Sequence, residues 1–390
     1  MSENAEGARM RILAVDVGTG TQDILLFDTD LQVENCFKLV MPSPTMMIAR
    51  RVRAATKRGQ PLLLTGVTMG GGPSHWAVRD HAGAGHEVFA TPQAARTFDD
   101  DLSNVQAMGV RVVSEDEAAA LARSRPDLLH LTLHDFDYGM IRRAFEAFGL
   151  ELKLDGVAVA VFDHGAAPPG ISDRQFRFDY LDERIRAHNR LSAFAFPADR
   201  IPEIMTRLQS VVTSAAATGL SADVPLMVMD TAPAAVLGAT LDPQVGGRES
   251  VIITNVGNFH TLAFRLGPAG IEGVFEHHTG FLDAPKLDGL LQALAASTLQ
   301  HSDVFDDHGH GALVYNPHPL PLDFVGVTGP RRSLMTRSAL PTYFAVPYGD
   351  MMIAGCFGLV RAWADLYPDH RAAILESLGG AERGAPWELL

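Results

Sequence analysis

From Arg11 the run RILAVDVGTGTQDILLFDTD places two short apolar strands around a Gly/Thr turn, and a third apolar run at Val33–Val40 completes a hairpin-rich start. A helical period over 45–57 then leads to a strand at 61–69 and a glycine-rich loop. Next come a helix at 91–107, a strand at 110–113, and helices at 115–123 and 137–148. The stretch GVAVAVFDH (156–164) is apolar without alternation, which suits a strand buried on both faces. Alternating strands and helices predict a mainly parallel sheet covered by helices.

A loop at 165–173 and helical patterns at 174–190 and 201–217 read as a bridge. After it the opening pattern restarts. PLMVMD (225–230) is a strand, 232–240 a helix, and VIITNVGNFHTLAFRL (251–266) is again strand, glycine turn, strand. A helix at 286–299, a strand at 322–328, a helix at 330–338 and a long helix at 349–366 follow. The expected fold class is therefore α/β, with two related lobes over 9–165 and 222–390 and a helical connector over 166–221. Sequence identity between 11–30 and 250–266 is slight, so this repeat rests on shape.

Composition narrows the function. The chain has 390 residues, 47% hydrophobic and 20% charged, which fits neither disorder nor a fibre. A net charge of −14 opposes polyanion binding, and the basic run Arg50, Arg51, Arg53, Lys57 and Arg58 falls at helical spacing, as on a solvated face. No nucleic-acid partner is expected. Cys36 and Cys356 stand alone, so no disulfide framework or cysteine zinc knuckle can form, and a reducing cytoplasm is the expected location. Residues 1–10 lack the apolar core of an export signal, and no stretch reaches the ~18 apolar residues of a spanning helix. A protein neither exported nor membrane-spanning is expected; oligomeric state is left open.

The strongest chemical signal is Asp16-Val17-Gly18-Thr19-Gly20-Thr21-Gln22 at the first turn. Glycines let backbone approach an anion, turn N–H groups and hydroxyls donate to it, and a carboxylate at the strand end can organise Mg²⁺ through water. This segment resembles the first phosphate loop of the actin, Hsp70 and sugar-kinase superfamily. Thr254-Asn255-Val256-Gly257-Asn258-Phe259-His260-Thr261 resembles its second phosphate loop, with Asn255 where many members carry Asp. PLMVMDTAPAAVLGATLDP (225–243) resembles the segment whose aspartate takes the acceptor's proton in carbohydrate kinases. Asp230 is the counterpart, although aligning Gly238 puts Thr231 at that place, and an N-cap role for Asp230 remains open. FVGVTGPRRSLM (324–335) resembles the adenosine loop, with Gly326 and Gly329 against the base.

The resemblance implies two ribonuclease H-like lobes with mixed sheets and flanking helices. It also implies ATP and Mg²⁺ as cofactors, and hydrolysis or transfer of the γ-phosphoryl group to a small acceptor. Asp16 would position the metal, and Gly18, Thr19, Gly20, Thr21, Gln22, Asn255, Gly257 and Thr261 would hold phosphate. Asp230 or Asp163 would be the base.

Loops rich in Gly, His, Asp and Arg at 69–87, 162–178, 275–283 and 305–314 lie outside these motifs. His164, Arg174 and Arg177 could hold an anionic acceptor. Two other readings stay open: a non-catalytic nucleotide-dependent switch or assembly factor, and a metal-dependent enzyme using His277, His278, His308 and His310. The chain as a whole also resembles a prokaryotic family often labelled pyruvate formate-lyase-activating protein. Activation of that kind calls for three cysteines in a CxxxCxxC spacing, and the chain has two.

Overall fold

The computed structural model describes residues 9–168, 170–381 and 387. Residues 1–8, the larger part of the segment read for an export signal, lie outside the described residues, as do 382–386 and 388–390 of the expected second lobe.

Strands β1 (Arg11–Val17), β2 (Thr21–Asp28) and β3 (Phe37–Pro42) form an antiparallel set. The chain then builds a separate, all-parallel sheet from β4 (Leu62–Gly66), β5 (Val88–Ala90), β6 (Val110–Val112) and β7 (Leu129–Leu133). It returns through β8 (Gly156–Val161), which pairs in parallel with β1, followed by β9 (Ala195–Pro197) and β10 (Leu226–Asp230). The second half contains β11 (Val251–Val256), β12 (His260–Gly267), β13 (Gly270–His278), β14 (Gly311–Val314), β15 (Val325–Thr328) and β16 (Thr342–Phe344).

The two six-stranded sheets run β3-β2-β1-β8-β10-β9 and β14-β13-β12-β11-β15-β16. In each, three antiparallel strands lead into two parallel ones in the order third, second, first, fourth, fifth. That is the ribonuclease H-like order, and it occurs twice. The α/β class and the internal repeat expected from the sequence are both present.

Several elements differ from expectation. The alternating segment after β3 forms its own sheet rather than extending the first one. Strand β10, read as the start of the second lobe, pairs with β8 in the first sheet, where its fully buried LMVMD run is covered on both faces. The helix expected at 91–107 splits into Pro92–Ala95 and Leu102–Ala107, because Asp101 turns the chain and accepts from Ser103 N. Residues 270–278 and 311–314, read partly as loops, form β13 and β14 of the second sheet, with β13 paired on both sides and β14 at the edge.

Alternation in β1 sends Leu13, Val15 and Val17 into one core and Ile12 and Ala14 into another. The first core continues through helices Asp173–Ala187 and Thr206–Ala217 to Val251, Ile253, Leu262 and Phe264 of the second sheet, so the lobes share packing. On the opposite face, helix Ala354–Leu366 meets helix Thr231–Ala239 backbone to backbone. A Cβ on Gly238 would stand 1.7 Å from the Ala354 carbonyl oxygen, and one on Gly358 would stand 1.9 Å from that of Ala234. The small-residue face read from the sequence thus serves this helix pair and the first sheet. No helix among the described residues is long and apolar enough to cross a membrane.

Candidate functional site

Two hairpins of the same construction face each other across a cleft. Gly18 N donates to Thr21 O at 2.9 Å, and Gly257 N donates to His260 O at 3.0 Å, so the same four-residue turn closes β1-β2 and β11-β12. The tips nearly touch: a Cβ on Gly20 would lie 2.9 Å from Asn258 Nδ2. Ser43 braces the first tip, its hydroxyl donating to Thr19 O at 2.6 Å and its N–H to Gly20 O at 3.1 Å. Gly18, Thr19 and Thr21 line one wall; Asn255, Gly257 and Asn258 line the other. Gly329, with φ of +98°, closes the end nearest β15, where a side chain would run into Asn255 Oδ1 at 2.5 Å.

Asp16 and Asp23 stand directly opposite in the β1-β2 register, both buried and both bordering the cleft. Like charges at such a pair repel. Burial raises the Asp16 carboxyl to about 7, against a lowering contribution from the Thr231 hydroxyl, which donates to Oδ1 at 2.6 Å; nearby Asp230 adds to the rise. Burial and then the Asp16 charge raise Asp23 to about 8, and its Oδ1 has no hydrogen-bond partner. Helix Ala354–Leu366 begins against this pair, and a Cβ on Gly355 would sit 1.9 Å from Asp16 Oδ2. Thr231, the residue that alignment on Gly238 selects, is the one at the cleft. Asp23 was legible too: counting back across the Gly18–Thr21 turn places it opposite Asp16.

The parallel sheet supplies a third wall. Gly70, Gly71 and Gly72 border the cleft before helix Pro73–Gly83, and Gly72 has a φ of +56° with Phe259 2.6 Å from where its Cβ would be. Trp76 meets Phe259 edge-on at 5.4 Å, joining this wall to the second hairpin. Asp135 accepts from Gly70 N at 3.0 Å and from Arg207 Nε at 2.6 Å. Arg207 also donates to the Phe162 carbonyl, and its guanidinium borders the cleft.

Other expected site residues are placed elsewhere. Asp230 caps helix Thr231–Ala239 by accepting from Ala232 N at 3.0 Å, and its other oxygen takes Arg177 at 2.7 Å. Asp163 spends both oxygens on backbone, from Gly165 N and Leu208 N, each at 2.9 Å. Neither carboxylate borders the cleft or is free to act as a base. Arg177 is fully buried, bridging Asp230, the Asp163 carbonyl and Glu276 (Nε to Oε2 at 2.6 Å). Arg174 ties the Asp173–Ala187 helix to the Phe305 and Gly309 carbonyls. Both arginines are structural ties between the connector and the rest of the molecule. Gln22 is buried and its amide donates to the Pro42 carbonyl, and Thr261 pairs with Thr279, which in turn fastens Gly257 O. Gly326 packs within the second sheet against Ile253 and Val245. Of the acceptor-side residues named from sequence, only His164 reaches the cleft, beside His260.

Both cysteines are free and buried. Burial pushes the Cys36 thiol up to about 12 and Cys356 well above its ordinary range, and Cys356 Sγ donates to Asp23 O.

The fold resembles several solved structures at low identity. A polyphosphate/ATP-glucomannokinase from Arthrobacter sp. strain KM is 12% identical, covering 94% of this chain and 98% of its own, with a TM-score of 0.31. The ethanolamine utilization protein EutJ from Carboxydothermus hydrogenoformans is 9% identical (92% and 91% covered, TM-score 0.29). A transcriptional regulator of the ROK family, homologous to the E. coli MLC protein, is 8% identical (95% and 81% covered, TM-score 0.32). At these values none of the three bears on what the cleft holds. No curated protein sequence matches the chain. A family model does, over residues 69–334, and on that match the chain belongs to the family described as "Putative pyruvate format-lyase activating enzyme (DUF1786)".

Proposed function

We propose that the cleft binds ATP with Mg²⁺, and that the protein hydrolyses the nucleotide or transfers its γ-phosphoryl group to a small acceptor. The observation that carries this reading is the pair of matching glycine hairpins, tip to tip, beside two facing buried carboxylates. Asp16 and Asp23 fit a hydrated divalent cation: they oppose each other, and Asp23 Oδ1 lacks any partner. A cation there would relieve their repulsion and neutralise charge on the phosphates. Thr19 and Thr21 border the cleft, so their hydroxyls and the hairpin N–H groups would donate to phosphate oxygens, and a base would lie against the backbone at Gly329. Thr231 fixes the Asp16 carboxylate by its hydrogen bond. On the acceptor side the charge available is Arg207, held beside Gly70 by Asp135, which suits an anionic group.

The family's description points to a different chemistry, one that needs a cluster held by cysteine thiolates. The donor set does not fit. The two cysteines are buried, protonated and embedded in an apolar core.

A thermal-shift comparison of Mg·ATP, Mg·ADP and ATP with chelator tests the reading. A ligand at ~100 times its Kd stabilises by about 2.7 kcal/mol. Stabilisation by both magnesium complexes and its loss with chelator is expected; no shift with any nucleotide overturns the proposal.

A further inference from the structure

Three imidazoles from distant parts of the chain meet at the inner wall of the cleft. His164 follows β8, His260 opens β12 and His310 precedes β14. One nitrogen of each lies within 4.8 Å of the other two. Their rings make two edge contacts and one stack, with centroids 4.9 to 5.6 Å apart, and His278 adds a fourth ring 4.8 Å from His310 and 5.0 Å from His260.

The polar atoms here are unsatisfied. His310 is 1% exposed, yet neither of its ring nitrogens has a hydrogen-bond partner. Glu276 Oε1, also buried, has none either, and lies 3.6 Å from His310 Nδ1. Buried polar groups left this way cost about 1–3 kcal/mol each, so their retention calls for a missing partner. The charge around the cluster agrees. Three guanidinium groups, Arg174, Arg177 and Arg207, face four buried carboxyl groups, those of Asp135, Asp163, Asp230 and Glu276, which leaves acid in excess beside an incoming cation.

We propose that His164, His260 and His310 bind one divalent transition-metal ion, with zinc the first candidate. Neutral imidazole suits zinc and its neighbours, and three histidines leave a coordination position open. Metal on His310 Nε2 leaves Nδ1–H to donate to Glu276 Oε1, while Arg177 grips the other Glu276 oxygen. Small ring rotations bring the nitrogens to the ~2.0–2.1 Å zinc distance. Because His164 and His260 also border the cleft, the open position faces it and would take an oxygen or nitrogen ligand of a bound small molecule. This site is separate from the Asp16–Asp23 pair and does not depend on the nucleotide reading.

The test uses full-length protein without an affinity tag, stripped of metal, then titrated with ZnCl₂ in a calorimeter and with CoCl₂ under visible spectroscopy. One zinc ion per chain, the intense d–d bands of low-coordinate cobalt, and at least a hundredfold weaker binding in His260→Ala and His310→Ala are expected. Glu276→Gln should weaken binding about 10–100-fold, while exposed His188→Ala leaves it unchanged. If the histidine variants fail to fold, the cobalt spectrum of the wild type decides. The absence of stoichiometric binding, a weak six-coordinate cobalt spectrum, or zinc affinity unaltered in a folded His260→Ala variant overturns the assignment.

Discussion

Replacing Asp16 by Asn should stabilise the ligand-free protein at pH 8 and remove its response to Mg·ATP. The carboxyl is held at about 7 against an ordinary 3.8, chiefly by burial. An acid raised on folding binds more protons folded than unfolded, so its contribution to stability is most favourable below pH 3.8 and is lost as pH rises towards 7. By pH 8 the penalty corresponds to roughly 4 kcal/mol. Asn removes the charge and keeps a carbonyl that can accept from Thr231, but its amide must find a partner near Gly355, a cost of about 1–2 kcal/mol. The net gain should be about 1–3 kcal/mol, seen as a Tm several degrees higher at pH 8 with the difference shrinking towards pH 4. The wild type should gain about 2.7 kcal/mol from Mg·ATP at ~100 times Kd, and the variant almost none. Differential scanning calorimetry over pH 4–8, with and without Mg·ATP, gives both quantities. A variant less stable than wild type at pH 8, or one with an undiminished Mg·ATP response, would refute the reasoning.

Gly257→Val should abolish nucleotide stabilisation, because a Cβ there meets His260 O at 2.6 Å and breaks the second turn; a folded variant with wild-type affinity in calorimetry would remove this hairpin from the site. Gly355→Ala drives a methyl into Asp16 Oδ2 and should cost about 1–3 kcal/mol. Adding Asp16→Ala should recover part of that loss, and strict additivity of the two Tm changes would contradict the contact. Arg177→Ala leaves Asp230 and Glu276 buried without their cation and should lower stability by about 3–5 kcal/mol in denaturant titration. An unchanged midpoint would mean the bridge contributes nothing.

The doubled hairpin was legible because strand alternation around a glycine turn is a local signal, and Asp16-Val17-Gly18 and Asn255-Val256-Gly257 carry it in the same register. The separate parallel sheet was not: β4 to β7 are short apolar runs between helices, and such runs do not say which sheet they join. Strand β13 buries Glu276 on one face and His277 on the other, so its polarity reads as loop although its backbone pairs with β12 on either side of a bulge at Glu272. The roles of Asp163, Asp230 and Arg177 depend on contacts made across the fold: the Asp163 carboxylate goes to Leu208 N, and Arg177 joins Asp230 to Glu276. No pattern within the connector announces them. His164, His260 and His310 come from three separate runs, and only the fold brings them together.

The central claim, a phosphate cradle between two matching hairpins, is tested most directly by the crystal structure of the protein with Mg²⁺ and a non-hydrolysable ATP analogue. The account predicts the β- and γ-phosphates between the Gly18 and Gly257 turns, with the cation's water shell on Asp16 and Asp23. Nucleotide bound away from these turns, or a cation that contacts neither carboxylate, would contradict it.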